Sequence, residues 1–344
     1  MKRKRTTVKD LAKAAGLSPS SVSRALNNHP RISKKTKAYV LKLAREMGYK
    51  PNMVARGLVT QKSFLLGLLV YDFRNPFYAE LTRSIQDTAG EYNFRVIPSS
   101  TDDDPEKAKL IVESFKDIGV DGFIFASCQL RDPLAEELLD QDYPLVLANR
   151  RMAKPDCNYV VLDNSYGAYL LTSHLIRLGY QRIAMIGGPR TTSTGVERYQ
   201  GYVEAMKEKG LEIIPELIKE GLFFSQESGY SLTKRLLTGN VQPEAIFCCD
   251  DYMALGAMKA ISEMDLRVPQ DIALVGFDDA EISSHPKIML TTVSQDVQQL
   301  GMLSTKTLLQ VINGDLNETQ HILLEPHLVI RESCGYKIRG NYPN

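Results

Sequence analysis

Phe77, Tyr78, Asp163, Arg198, Phe224, Asp250 and Asp278 each fall beyond an apolar run of the sequence. As a set they suit binding better than bond-making. Carboxylates with an arginine grip adjacent hydroxyls in bidentate fashion, and aromatic rings cover the apolar face of a pyranose or a flat base. A neutral, hydroxyl-rich small molecule fits them best. The turn Thr191 to Thr194, ahead of a helix, can instead receive a phosphate, so sugar phosphates and purines stay open. Plainer roles compete: any of the aspartates can cap a helix, and Phe77 can be a core aromatic. Asp251 and Asp279 are expected to be caps, and Asp250 and Asp278 to touch the ligand. Catalysis is not expected, because GxSxG, GxxxxGK[ST], HExxH and GxGxxG are all missing. The five histidines (His29, His174, His285, His321, His327) are dispersed, and His174 has the apolar neighbours of a packing residue. No enzyme activity, cofactor or metal is expected.

Those residues matter only if the runs before them are strands, since ligands of open parallel sheets bind beyond the carboxyl ends. From Phe64 onward, apolar runs alternate with amphipathic stretches: FLLGLLV (64 to 70), then a helix from about Phe77 to Gly90. Strand candidates follow at 94–98, 122–126, 145–148, 159–162, 182–187, 218–222, 245–249 and 272–277. Continuous apolar strands separated by helices imply parallel sheets covered on both faces, and this many units imply two lobes.

The 344 residues, 43% of them hydrophobic, can bury at least one large core. Net charge is only +1, but it is unevenly spread. The first 60 residues hold 15 Lys and Arg against Asp10 and Glu46, a net of +13, while the remaining 284 carry 27 basic and 39 acidic groups, a net of −12. Only the first segment suits a polyanion. Five cysteines without CxxC spacing fit reduced thiols in the cytosol. The basic start Lys2 to Arg5 is not followed by the apolar stretch a signal peptide needs, and no run approaches a membrane span.

That basic segment reads as three short helices. Thr7 and Asp10 form a capping-box-like start, and Val8, Leu11, Ala12 and Ala15 follow the i, i+3, i+4, i+7 rule up to Gly16. Ser18 and Pro19 open a second helix whose Val22, Ala25 and Leu26 turn inward while Ser20, Ser23, Arg24 and Asn27 do not. Ser33 opens a third, buried through Val40, Leu43, Ala44 and Met47 and stopped at Gly48. Two helices joined by a tight glycine-containing turn, plus a third, make a helix-turn-helix unit. Its polar second helix suits the major groove, with Ser20, Ser21 and Arg24 reading bases.

The row TVKDLAKAAGLSPSSVSRALNNHPRISKKTKAYVLKLAREMGYKPNMVARGL closely resembles the headpiece and hinge of the lactose/galactose/purine repressor family. The match continues through NPFYAEL, VDGFIF, VLDNSYGAYLLTSHLIRLGY, GYVEAM, ESGY, DDYMALGAMKAI, LRVPQDIALVGFDD and LTTVSQD, almost the whole chain. The resemblance implies a repressor acting as a homodimer on double-stranded operator DNA, with an all-α helix-turn-helix headpiece (1–50) and a hinge (51–62). The α/β body (63–340) would have the two-lobed periplasmic-binding-protein-like (type I) fold with parallel sheets, crossed three times by the chain. One lobe would take residues 63–162 and 293–323, the other 163–292 and 324–340.

By the same resemblance Thr7, Asn27, Ser33, Lys34, Lys37 and Tyr49 position phosphates rather than read bases. Val54, Ala55 and Leu58 pack a paired short helix into the minor groove, with Leu58 as the wedge. Thr192, Thr194 and Arg198 of GPRTTSTGVERYQG face the ligand, most plausibly a sugar, and Asp278 of GFDD supplies a nearby carboxylate. The sequence departs from the family at the start of the reading helix, where Pro19 and Ser20 offer no long hydrogen-bonding side chain. An exported solute-binding protein with the same body is the rival reading, and it leaves the basic headpiece without purpose.

Overall fold

The computed structural model describes residues 6–26, 29–49, 62–153 and 157–340, and the chain divides between Ser63 and Phe64 into two compact units. Asn27, Val54, Ala55 and Leu58, expected to meet DNA, lie outside the described residues, as does nearly all of the expected hinge.

The first unit is three helices, α1 (Val8–Ala15), α2 (Pro19–Leu26) and α3 (Lys34–Glu46). Local chemistry sets each start. The Thr7 hydroxyl accepts the Asp10 N–H at 3.3 Å while Asp10 accepts the Thr7 N–H at 2.9 Å, a reciprocal capping box. Ser18 Oγ accepts the Ser21 N–H and Ser33 Oγ the Thr36 N–H, both at 3.1 Å. Gly16 ends α1 at φ 65°, a left-handed conformation that glycine adopts without penalty. Leu11, Ala12, Val22, Ala25, Val40 and Ala44 form the buried core, and truncating Leu11 to alanine there costs about 2–5 kcal/mol.

The second unit contains two parallel sheets. The larger runs in the order β11-β5-β4-β3-β1-β2, from β1 (Leu65–Val70), β2 (Arg95–Ser100), β3 (Gly122–Phe125), β4 (Leu145–Ala148), β5 (Asn158–Leu162) and β11 (His321–Leu324). The smaller runs β7-β6-β8-β9, from β6 (Ile183–Gly187), β7 (Ile218–Glu220), β8 (Ala245–Cys248) and β9 (Ala273–Val275). An antiparallel pair, β10 (Thr292–Ser294) with β12 (His327–Val329), stands between them in the chain's course. The chain leaves the larger sheet after β5, returns to it after β10, and leaves again after β11. Helix α11 (Val297–Asn313) packs on β3, β4 and β5 and on α4 (Pro76–Glu91). Strands β1, β3, β4 and β8 are buried almost throughout because helices cover both faces, which is why they read as unbroken apolar runs.

Helices α7 (Asn164–Arg177) and α8 (Ser193–Glu208) pack backbone to backbone: a Cβ on Gly201 would overlap the Ser165 carbonyl. Helices α9 (Gln226–Leu237) and α10 (Asp251–Glu263) form a similar pair. Strands β10, β11 and β12 were not among the sequence candidates. Two are only three residues long, and β11 is a four-residue, partly exposed edge strand. Of the run at 218–222, Ile218–Glu220 form the strand β7, paired with β6.

Candidate ligand cleft and nucleic-acid interface

The cleft lies where the carboxyl ends of the two sheets meet. Asn75 caps α4 by accepting the Phe77 N–H at 3.1 Å, which places Phe77 and Tyr78 in its first turn. The two rings meet edge to face at 5.1 Å, and Tyr71 approaches Tyr78 at 6.1 Å. From the other lobe, Asp250 Oδ2 accepts the Asn75 amide at 3.2 Å, so a buried hydrogen bond crosses the cleft. Burial pushes the Tyr78 phenol up to about 12, keeping it a donor at neutral pH.

Arg198, 2% exposed, organises the second lobe's side. Its Nε donates to Asn164 Oδ1 at 2.9 Å, its Nη1 donates to the Cys249 carbonyl, and that same nitrogen lies 3.4 Å from Asp278 Oδ1. The guanidinium sits 3.8 Å above the Phe277 ring. Asp278 adopts φ 125°, a conformation that a non-glycine residue holds only when its surroundings impose it. Its N–H donates to the Val293 carbonyl at 2.9 Å, and Gln295 Nε2 donates to its Oδ1. Burial holds the Asp278 carboxyl well above the usual carboxylate range, with Arg198 opposing the shift. Burial also pushes Asp250 up to about 6, against the lowering effect of the Met253 amide and Arg198.

Phe77, Tyr78, Arg198, Asp250 and Asp278 are thus brought together. Phe224 joins them through Arg150, whose guanidinium lies 5.2 Å from its ring. A Cβ on Gly188 would fall inside the Phe224 ring, so a glycine is required there. Thr192 is spent as the cap of α8: its Oγ1 accepts the Gly195 N–H at 3.1 Å and donates to the Pro189 carbonyl at 2.8 Å. Thr194 is buried beside it, hydroxyl to hydroxyl at 3.3 Å. Asp163 caps α7, accepting the Tyr166 N–H at 2.9 Å, and the residue after it, Asn164, makes the contact to Arg198.

Two expectations need correction. The cap of α10 is Asp250, whose Oδ1 accepts the Met253 N–H at 2.6 Å, and not Asp251. Asp251 instead accepts the Ala280 N–H (2.9 Å), the Ser283 hydroxyl (2.7 Å) and the Thr292 hydroxyl (2.7 Å), fastening the segment after β9 to α10. Asp279 caps no helix either; it pairs with Arg331 at 2.6 Å. Asn75, Arg150, Asn164 and Gln295 went unnoticed in the sequence. For Arg150 a signal existed, since it follows β4 just as the chosen residues follow their strands.

A cavity of about 470 Å³ lies between the lobes, lined by Tyr71, Asp72 and Arg74 on one side and Phe223, Ser225 and Tyr252 on the other. That volume falls within the range of small-ligand sites. His174 is buried against the Cys334 sulfur at 3.3 Å with its imidazole pushed down to about 4 by burial, as suits packing. Among the described residues, no group of three or more His, Cys, Asp or Glu side chains could hold a metal, and no helix is long and apolar enough to cross a membrane.

In the first unit, Ser20 and Arg24 are exposed on α2 and Ser21 is half-buried. Arg24 Nε rests on the Ser20 carbonyl at 3.2 Å. Lys34 is exposed and Lys37 half-buried, Thr7 and Ser33 commit their hydroxyls to caps, and Tyr49 packs against the core.

Comparison with known proteins agrees with this arrangement. The profile described as "Bacterial regulatory proteins, lacI family" matches residues 7–52, and "Periplasmic binding protein-like domain" matches residues 172–334. The HTH-type transcriptional regulator RegA of Clostridium saccharobutylicum is 36% identical over 331 residues, 95% of this chain and 99% of RegA. The HTH-type transcriptional repressor PurR of Pasteurella multocida is 34% identical over 331 residues, 95% and 98% of the two chains. Among solved structures, the lac repressor dimer bound to operator and the anti-inducer ONPF superposes with a TM-score of 0.83 at 31% identity, covering 96% of this chain and 99% of that one. The CelR–cellobiose complex gives 0.74 at 30% identity, covering 96% and 100%. A helix-turn-helix unit and a two-sheet α/β body matched end to end by such regulators make this chain a transcriptional regulator of the lacI family.

Proposed function

We propose that this regulator is a repressor, acting in the cytoplasm as a homodimer, whose operator affinity is set by a sugar or sugar derivative bound between the lobes of its body. The observation that carries the ligand class is the buried Arg198–Asp278 pair, 3.4 Å apart, in the cleft that Asn75, the cap of the helix bearing Phe77 and Tyr78, joins through Asp250. A carboxylate and a guanidinium recognise vicinal hydroxyls, and the rings supply apolar cover. That CelR was solved with cellobiose supports the same class. Residues 1–50 form the reading headpiece and 51–62 the hinge. In the headpiece Ser20, Ser21 and Arg24 read bases, and Thr7, Asn27, Ser33, Lys34, Lys37 and Tyr49 hold the backbone. In the hinge Val54, Ala55 and Leu58 enter the minor groove.

The test has two parts. Selection of bound sequences from random DNA should return a near-palindrome with half-sites on one face of the duplex, bound with a steep salt dependence. Thermal shift of the full-length protein against sugars, sugar phosphates and purines identifies the effector class, because a ligand of the folded state stabilises it by mass action. A ligand that shifts melting must also change operator affinity. Stabilisation by purine bases alone would replace the sugar assignment, and failure to enrich any sequence would overturn the regulator mechanism proposed for this headpiece.

A further inference from the structure

Arg150 is 1% exposed, yet much of its hydrogen-bonding capacity is unused. Nη1 is 3.5 Å from the Ser127 carbonyl and 3.6 Å from Asp103 Oδ1, and Nε has no partner among the described residues. Charge-assisted N–H···O bonds are about 2.7–2.9 Å long and frequently bidentate, so the Asp103 contact falls short of one. The other buried arginine of the cleft, Arg198, differs: its Nε and Nη1 are both engaged by protein oxygens. Buried guanidinium donors left unmade are costly, and Asp103, at 3.6 Å, opposes the charge of Arg150 without a close hydrogen bond to it.

The surroundings are built to hold that guanidinium in place. The Tyr71 ring lies 5.4 Å and the Phe224 ring 5.2 Å from its centre. Aromatic rings engage the face of a guanidinium and leave its edge N–H groups available. Those edges match the oxygens of a carboxylate or phosphate. Arg150 also sits close enough to Tyr78 and Asp250 to alter the titration of both, which puts it among the residues of the effector cleft. Tyr71 lines the interlobe cavity as well as covering Arg150. Two buried acceptors nearby in the chain or the cleft, Asn149 Oδ1 and Gln295 Oε1, also have no partner among the described residues.

We propose that Arg150 is an anion-binding residue of the cleft, and that the effector carries a carboxylate or phosphate beside its hydroxyls, as a sugar acid or sugar phosphate does. This rests on the effector reading given above and narrows it. Neutral hydroxyls would satisfy the idle N–H donors, whereas an anion would also supply the close charged contact that Asp103, at 3.6 Å, does not make.

Matched probes test it with the full-length protein at constant ionic strength: glucose against glucuronate and glucose 6-phosphate, galactose against galacturonate, ribose against ribose 5-phosphate. At least one acid or phosphate should raise the melting temperature while its neutral parent does not. The acid and phosphate arms tell the two anions apart. In Arg150→Gln the affinity for that probe should fall about tenfold or more, the size of one charge-assisted contact. Asp103→Asn removes the competing carboxylate and should tighten the anion, which keeps the proposal testable should Arg150→Gln fail to fold. It is overturned by neutral parents binding as tightly as their acids, by no anion shifting the wild type, or by Asp103→Asn failing to tighten the anion. A neutral sugar that changes operator affinity would sink the anion assignment and leave the sugar-controlled repressor standing. An anion bound through Arg150 with no effect on operator affinity would do the reverse.

Discussion

Replacing Asp250 with asparagine isolates the energetic cost of the cleft. The carboxyl is 2% exposed and is pushed up to about 6 from 3.8 by burial. A rise of about two units corresponds to about 3 kcal/mol between the protonation states. Because the folded-state value lies above the unfolded one, the folded protein binds the extra proton. The stability this provides is complete below about pH 4 and is lost as pH rises through about 6. Asp250→Asn removes the charge and keeps the shape. Asparagine is also a good N-cap and can accept the Met253 N–H as the carboxylate does. It cannot accept the Asn75 amide with the same oxygen, which subtracts about 1 kcal/mol. A net gain of about 2 kcal/mol is expected at pH 7.5, or about 4 °C at about 2 °C per kcal/mol for a unit of this size. Differential scanning calorimetry of the ligand-free protein should show the variant melting higher than wild type at pH 7.5. The gap should close toward pH 4, and the variant's effector affinity should be at least about tenfold weaker. A variant that melts lower at pH 7.5, or keeps the wild-type pH slope between 4 and 6, refutes the claim that the buried charge is held at a cost to stability.

Three further outcomes are expected from the proposed function. Arg24→Ala should weaken a selected operator far more than random DNA in anisotropy titrations; an equal loss on both would mean that Arg24 contacts phosphate. Arg198→Ala and Asp278→Asn should abolish the effector response and leave ligand-free operator affinity nearly unchanged, and unaltered calorimetric ligand titrations in both would remove them from the site. Leu58→Ala should reduce both operator affinity and the size of the ligand effect. Amide exchange over residues 52–58 that is already slow in the free protein, and insensitive to operator and ligand, would show that the proposed hinge is not the switch.

What could be read from the sequence was what depends on near neighbours. Thr7 with Asp10, Ser18 with Ser21 and Ser33 with Thr36 act over three residues, so the starts of α1, α2 and α3 were legible, as were Val22 and Ala25 on one face. Buried parallel strands such as LLGLLV announce themselves because both faces are covered. The assignments that failed depend on distant segments. Asp250 and Asp251 are adjacent and chemically identical, and which one caps α10 is decided by Ala280, Ser283 and Thr292 converging on Asp251. Arg150 and Arg151, which the sequence reading passed over, are also adjacent and alike, yet Arg150 is buried against Tyr71 and Phe224 while Arg151 reaches Glu197 at 2.7 Å.

That last contact bears on how the cleft can act at a distance. Among the described residues, several bonds join the lobes around the candidate site besides those of Asp278 to Val293 and Gln295. Asn75 donates to Asp250 at 3.2 Å, Leu130 N–H to the Thr191 carbonyl at 2.8 Å, Arg151 N–H to Ser193 Oγ at 3.0 Å, and the Arg151 guanidinium pairs with Glu197 at 2.7 Å. A ligand shifts a conformational equilibrium only by its difference in affinity between the two arrangements. The proposed effector would meet that condition if a hydroxyl of it reached Asp250, where the Asn75 amide now donates to Oδ2. Regulatory coupling is typically about 1–3 kcal/mol, or about five- to 150-fold in affinity, which is the worth of one to three such hydrogen bonds. The ligand therefore need not remodel either sheet. Exchanging one interlobe bond for a bond to itself, while satisfying cleft donors and acceptors that the protein leaves idle, is enough to favour one relation of the lobes over the other.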